Sequence, residues 1–194
     1  MRLEVKHQQR YSRLELLARS ILGPLYIAVP HVIVLAFVSV AAFFHYLKAT
    51  FTILRSGEYP QDSHSFLTSY LHWAARLHLR VFNMNDGYPN FGIKQNDPYL
   101  TLDFDKYDPD RKKILLRTIF GLFYIFIPHI IVWFLRYILS LIGVLIAFFI
   151  VLFTGKYPAG LHRFQVGTLR WMVRVLGSLF HLEDSYPAFN GSDR

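Results

Sequence analysis

The chain has no cysteine among its 194 residues, which excludes disulfides, thiolate nucleophiles and sulfur-ligated metals. Charge is missing from two long stretches. Between residues 21 and 54 the only formally charged side chain is Lys48, and between residues 118 and 154 it is Arg136. Acidic residues are scarce, 13 against 21 Lys and Arg, leaving a formal net charge of +8. The sequence also lacks a glycine-rich nucleotide loop, a Gly-x-Ser-x-Gly elbow, a His-x-x-Glu-His box and any paired carboxylates that imply a pocket. The expectation is a protein that is not an enzyme and carries no cofactor.

What is present is apolar. Hydrophobic residues make up 53% of the chain, and each uncharged tract exceeds the roughly 20 residues that cross a bilayer. The reading is an integral membrane protein. The first tract is too long for a cleaved signal peptide and has no small-residue cleavage site before the next polar segment. Lys and Arg gather within residues 2–19, 76–80, 111–117 and 156–174. Basic segments beside spans normally stay cytoplasmic, next to anionic lipid. No nucleic-acid motif accompanies the basic balance. Anionic headgroups and other membrane subunits are therefore the expected partners, and nucleic acid is not.

The chain spells one text twice. Pro30-His31 recurs as Pro128-His129 at an offset of 98, which also relates Arg19 to Arg117, Gly23 to Gly121 and Tyr26 to Tyr124. The register continues from Tyr59-Pro60 to Tyr157-Pro158, from Trp73 and Arg76 to Trp171 and Arg174, and from Asp86-x-Tyr88-Pro89-x-Phe91 to Asp184-x-Tyr186-Pro187-x-Phe189. No gap is needed between residues 19 and 91, so the reading is two tandem copies of one unit. Residues 1–94 form the first copy, 95–110 an acidic linker opening the second, and 111–194 the rest of the second.

Both copies read in one order. A short stretch alternates apolar and polar residues as a half-exposed strand does, at residues 3–5 and 100–104. A basic helix follows, over 13–27 and 112–126. Proline then opens or kinks a long apolar segment that runs to Gly57 or Gly155. Last comes an amphipathic helix. Arg163, Arg170 and Arg174 collect away from its apolar stripe in the second copy, as do Arg76 and Arg80 in the first. Such a helix either lies at the membrane interface, its arginines toward lipid headgroups, or packs its stripe on neighbouring helices. The fold class is thus all-α integral membrane, with short extended segments outside the bilayer.

The run Ile127-Pro128-His129, Thr154-Gly155-Lys156-Tyr157-Pro158, Leu169-Arg170-Trp171-x-x-Arg174 and Asp184-x-Tyr186-Pro187-x-Phe189 resembles the bacterial domain of unknown function numbered 4389. The first copy departs from it at Arg55-Ser56-Gly57-Glu58 and at Leu71-His72-Trp73. The resemblance implies a bacterial membrane protein of the inner membrane and brings no activity with it.

Charge sets the expected topology. One crossing per copy would invert the second copy and strand basic flanks outside, whereas a hairpin per copy keeps both termini and the linker cytoplasmic. The expectation is therefore a multi-pass protein of two hairpins related by a parallel pseudo-twofold. His31 and His129 could face each other across that axis and ligate haem or metal; otherwise each bonds a local backbone group or a phosphate. Arg136 and Lys48 are the intramembrane charges. They snorkel to headgroups or to a wet bend, or else pair with a partner subunit. Five acidic residues between 97 and 110 read as a solvated linker. The function expected from all this is an accessory or structural subunit of a larger membrane complex, or a lipid-organising, membrane-shaping module. The alternatives are a small channel or transporter at the repeat interface, or a haem or metal subunit.

Overall fold

A computed structural model describes residues 1–192. It is 68% helical and falls into two sets of elements of equal length. The first holds β1 (Arg2–Val5), α1 (Arg13–Gly23), a π-helical turn (Pro24–Ala28), α2 (Val29–Ser56) and α3 (Gln61–Val81). The second holds β2 (Leu100–Asp103), α4 (Arg111–Gly121), a π-helical turn (Leu122–Phe126), α5 (Ile127–Thr154) and α6 (Ala159–Leu179).

Local chemistry sets the helix ends. The Ser12 hydroxyl accepts from the Glu15 amide, and Asp110 accepts from the amides of Lys112 and Lys113, so both basic helices are capped by oxygen side chains. Each apolar helix stops at a glycine in the left-handed region, Gly57 at φ 83° and Gly155 at φ 69°, where a side chain would be strained. Between cap and stop the helix never reverses. α1, its π turn and α2 run without a break from residue 13 to residue 56, and α4 to α5 do the same from 111 to 154. The expected hairpin is corrected here: each apolar tract is a single helix. The proline neither starts a new helix nor folds the tract back. It follows a widened turn that accommodates its ring and its missing N–H.

The two long helices lie antiparallel, so the halves meet head to tail. Tyr11 donates its backbone N–H to the Gly155 carbonyl (2.9 Å), and Arg13 Nη2 donates to the Phe153 carbonyl (3.0 Å). The start of the first long helix thus meets the end of the second, where Leu16 packs on Ala147 and Val151. At the opposite end, Gly57 lies beside the Arg111 guanidinium. Nearer the middle, Gly23 and Ile27 line one cleft with Leu141 and Val144.

α3 and α6 pack antiparallel along the midsections of their own long helices and on each other. Their buried residues range from Ser63 to Arg80 and from His162 to Ser178, with no exposed large apolar residue until Val81. On their far side β1 and β2 form an antiparallel pair in the register Arg2↔Asp103 to Val5↔Leu100. Leu3, Leu100, Leu102 and Phe104 from this ribbon close one core with Leu67, Leu71, Leu169 and Val173. Three layers result: two long apolar helices, two inner helices, and a cover of ribbon and irregular loops. The alternating stretches were legible as strands, but their pairing across the two halves was not.

Candidate functional site: the paired Pro-His clasps

Each Pro-His step sits in a cage made by its own half of the chain. Pro30 has no N–H for the carbonyl four residues back, Tyr26, and the Tyr88 hydroxyl donates to that carbonyl instead (3.1 Å). In the second half the Tyr186 hydroxyl donates to the Tyr124 carbonyl (2.9 Å). The next residue is a fully buried histidine. His31 Nδ1 accepts from Trp73 Nε1 (2.9 Å), and His129 Nδ1 accepts from Trp171 Nε1 (2.8 Å). An indole only donates, so each Nδ1 is unprotonated and each proton lies on Nε2. The open face of each ring carries a phenyl group, Phe91 on His31 and Phe189 on His129, both at 3.8 Å between centroids.

The recurring text therefore encodes one device. Proline frees a carbonyl, tyrosine satisfies it, tryptophan fixes the histidine, and phenylalanine lids it. Arginine secures the lid loop from behind. Arg76 Nη2 donates to the Gly92 carbonyl (2.6 Å), while Arg174 donates to Asn190 and Ser192 (3.3 and 2.9 Å). The histidine pair is not brought together across an axis: each Nδ1 accepts from an indole, and the local backbone at Pro89 and Pro187 also acts on the respective rings.

The other expected site residues are placed as follows. Pro60 and Pro158 are extended residues at the N-caps of α3 and α6. Tyr59 donates to the Phe180 carbonyl (2.8 Å), and the Tyr157 carbonyl faces His7 Nε2 (2.9 Å), so both tie one half to the other. Of the five arginines read as lining a lipid interface, Arg76, Arg80 and Arg174 are buried, because α3 and α6 form the inner layer. Arg170 donates to the carbonyls of Gly191 and Leu3, and only Arg163 is exposed. Lys48 pairs with Asp62 of α3 at 2.6 Å. Arg136 turns along α6, where Nε donates to the Thr168 hydroxyl (3.0 Å) and the guanidinium lies 4.4 Å from the Phe164 ring. Nor is the acidic linker uniformly solvated: Asp97 is buried and paired with Arg80 at 2.7 Å.

Sequence reading missed several structural groups. Arg19 holds Asp86 and Asn83, while Arg117 holds the carbonyls of Ser178, Glu183 and Asp184; their place in the offset register was the signal available. His181 was missed as well. It lies fully buried between Thr50 and Thr118, in the left-handed region at φ 61°, and Asn83 takes the same role at φ 54° in the first half. Burial first, then the nearby Arg117, pushes the His181 pKa down to about 3. Burial and the adjacent His7 push His162 down to about 4, and burial alone does the same to His78. Among the described residues no group of three or more His, Asp or Glu could hold a metal ion.

The geometry defines a mostly helical protein with two helices long and apolar enough to cross a membrane. Residues 111–190 match the model of the family described as Domain of unknown function (DUF4389). That match covers the stretch whose motifs resembled the family. No curated protein and no solved structure matches this chain.

Proposed function

We propose that this chain, built from two copies of one unit, is a non-catalytic protein embedded in a bacterial cytoplasmic membrane, where it organises lipid or serves as an accessory subunit. One observation carries the reading. All but five of the exposed large apolar side chains (Val81, Tyr88, Phe91, Tyr186 and Phe189) belong to the two long helices. A contiguous apolar surface of that extent is far beyond the few hundred Å² that soluble monomers expose. The polar groups nearest to it are mutually bonded: the Gln165 amide donates to the Ser140 carbonyl (2.7 Å), and the Ser140 hydroxyl meets the Gln165 amide oxygen. That arrangement supports packing more than passage or chemistry.

The test is fractionation followed by native mass. The protein should stay with membranes through alkaline carbonate. After mild detergent extraction it should run either with bound lipid or with a larger unlike subunit. Recovery as a lipid-free soluble monomer would end the membrane reading.

A further inference from the structure

We propose that the two long helices lie in the plane of the membrane, side by side in one leaflet, rather than crossing it. The proposal rests on the membrane reading above and specifies how the bilayer is met. Its occupant is a single leaflet, with acyl chains against the outer faces of α2 and α5 and phosphate headgroups around the helix ends.

The first argument is what lies beside the middle of each long helix. Trp73 and Trp171 bring the centres of α3 and α6 to His31 and His129, near the midpoints of the 44-residue helices. The strand ribbon sits on those same centres: Arg170 Nη2 donates to the Leu3 carbonyl, and His72 Nε2 faces the Leu100 carbonyl. Irregular backbone then follows each long helix lengthwise. Asp86, Tyr88 and Phe91 meet Arg19, Tyr26 and His31; Lys113, Tyr124 and His129 meet Asp184, Tyr186 and Phe189. Were the long axis the membrane normal, an open two-stranded ribbon and two loops would stand at mid-bilayer depth. Hydrocarbon does not tolerate unpaired sheet edges and irregular backbone. With the long axis in the plane, the same cover faces water along its whole length.

The second argument is length. At about 1.5 Å per residue the 28 residues of α2 alone extend roughly 42 Å, against about 30 Å of hydrocarbon. The full 44-residue helix is longer still, and in the plane no mismatch arises.

The third argument is charge. Because the helices are antiparallel, Arg10, Arg13 and Lys156 share one end of the molecule, and Arg55, Arg111, Lys112 and Lys113 share the other. A crossing would leave one of these basic ends on the outer side, against the positive-inside bias. Lying flat puts both ends on the cytoplasmic face, which is what the sequence required and what hairpins would have achieved by another route. Arg136 agrees. It stands at the middle of its apolar tract, the costliest depth for a crossing helix. Yet its guanidinium is drawn along α6 toward the Gly191 loop on the covered side.

The absence of native cysteine makes the test direct. Single variants Arg10→Cys, Ser56→Cys, Lys112→Cys and Lys156→Cys are treated with an impermeant maleimide in intact spheroplasts and in inverted vesicles. All four should label only in inverted vesicles. Protected labelling of Ser56→Cys and Lys112→Cys with open labelling of Arg10→Cys and Lys156→Cys, or the reverse, in protein that remains membrane-bound would overturn the in-plane arrangement alone. Recovery of the protein in the soluble fraction would overturn both this and the membrane reading. Depth measured by quenching with brominated lipids gives an independent readout for fluorophores on Leu22→Cys, Phe37→Cys and Phe51→Cys. In-plane helices place all three at similar depths, roughly 5–10 Å below the headgroups, whereas a crossing helix puts position 37 deepest.

Discussion

His181 offers a quantitative test of how the inner layer is held. Its pKa is lowered to about 3 by burial and by Arg117, from an ordinary value of 6.5. The unfolded chain therefore binds a proton that the folded chain refuses, and this residue's contribution is complete above pH ~6.5 and erodes as the pH falls toward 3. Between about pH 8 and pH 5 the loss is roughly RT ln(1 + 10^1.5), or about 2 kcal/mol. His162 and His78, held down to about 4, contribute losses of the same order. The wild type should thus lose several kcal/mol over this range, about 2 of them through His181, because His64 and His72 are also held down by burial.

The variant is His181→Asn, because asparagine already occupies the equivalent left-handed position at Asn83. Losing the contacts to Thr50 and Thr118 should cost about 1–2 kcal/mol at pH 8. The pH dependence should then flatten by about 2 kcal/mol. Thermal melts in detergent at both pH values measure this as a Tm shift of roughly 4–8 °C that the variant no longer shows. An unchanged slope would mean that His181 titrates normally and that its surroundings are wet.

Further perturbations address the clasps and the cover. Tyr186→Phe should destabilise by about 1–3 kcal/mol by orphaning the Tyr124 carbonyl; in a Pro128→Ala background, which restores an N–H, most of that cost should vanish, and additive Tm losses would refute the pairing. His31→Asn and His129→Asn should act independently, since each ring belongs to its own cage, and strong non-additivity in a double-variant melt would reinstate a shared site. Asp97→Leu alone leaves Arg80 buried without its carboxylate and should cost about 3–5 kcal/mol; chemical-denaturation midpoints no different from wild type would show that water reaches the pair. Gly177→Ala places a methyl group against the Phe104 ring and should displace β2 from the core, read as faster hydrogen exchange at Leu102.

Much of the architecture was readable because it follows from local rules. Apolar length, the stops at Gly57 and Gly155 and the 98-residue offset all lie along the chain. The direction of packing was not readable. A proline inside an apolar tract is as compatible with a reversal as with a π turn, and contacts between the halves, such as Tyr11 with Gly155, separate parallel from antiparallel helices. The arginines misled for a related reason. An amphipathic helix with a basic face reads as interfacial, but here the guanidinium groups of Arg76, Arg80 and Arg174 face inward onto loop carbonyls and Asp97, and those acceptors leave no periodic mark. The clasp was visible as text and opaque as mechanism. Pro30, Trp73, Tyr88 and Phe91 are too far apart in sequence for spacing to reveal that they converge on His31.

The head-to-tail meeting of the halves also bears on asymmetry. Where the start of one unit packs on the end of the other at both ends, the contacts are isologous, as in a twofold homodimer. Holding both halves in one chain makes their encounter intramolecular, fixes the ratio at one to one, and lets one half differ from the other. The difference between the halves shows between the long and inner helices. Val38, Ala42, Leu67 and Tyr70 line that contact in the first half, and Arg136, Ser140, Gln165 and Thr168 replace them in the second with a chain of hydrogen bonds. A free homodimer must carry every such change on both sides of its axis; a single chain keeps it on one side, so the two edges of this protein differ in packing.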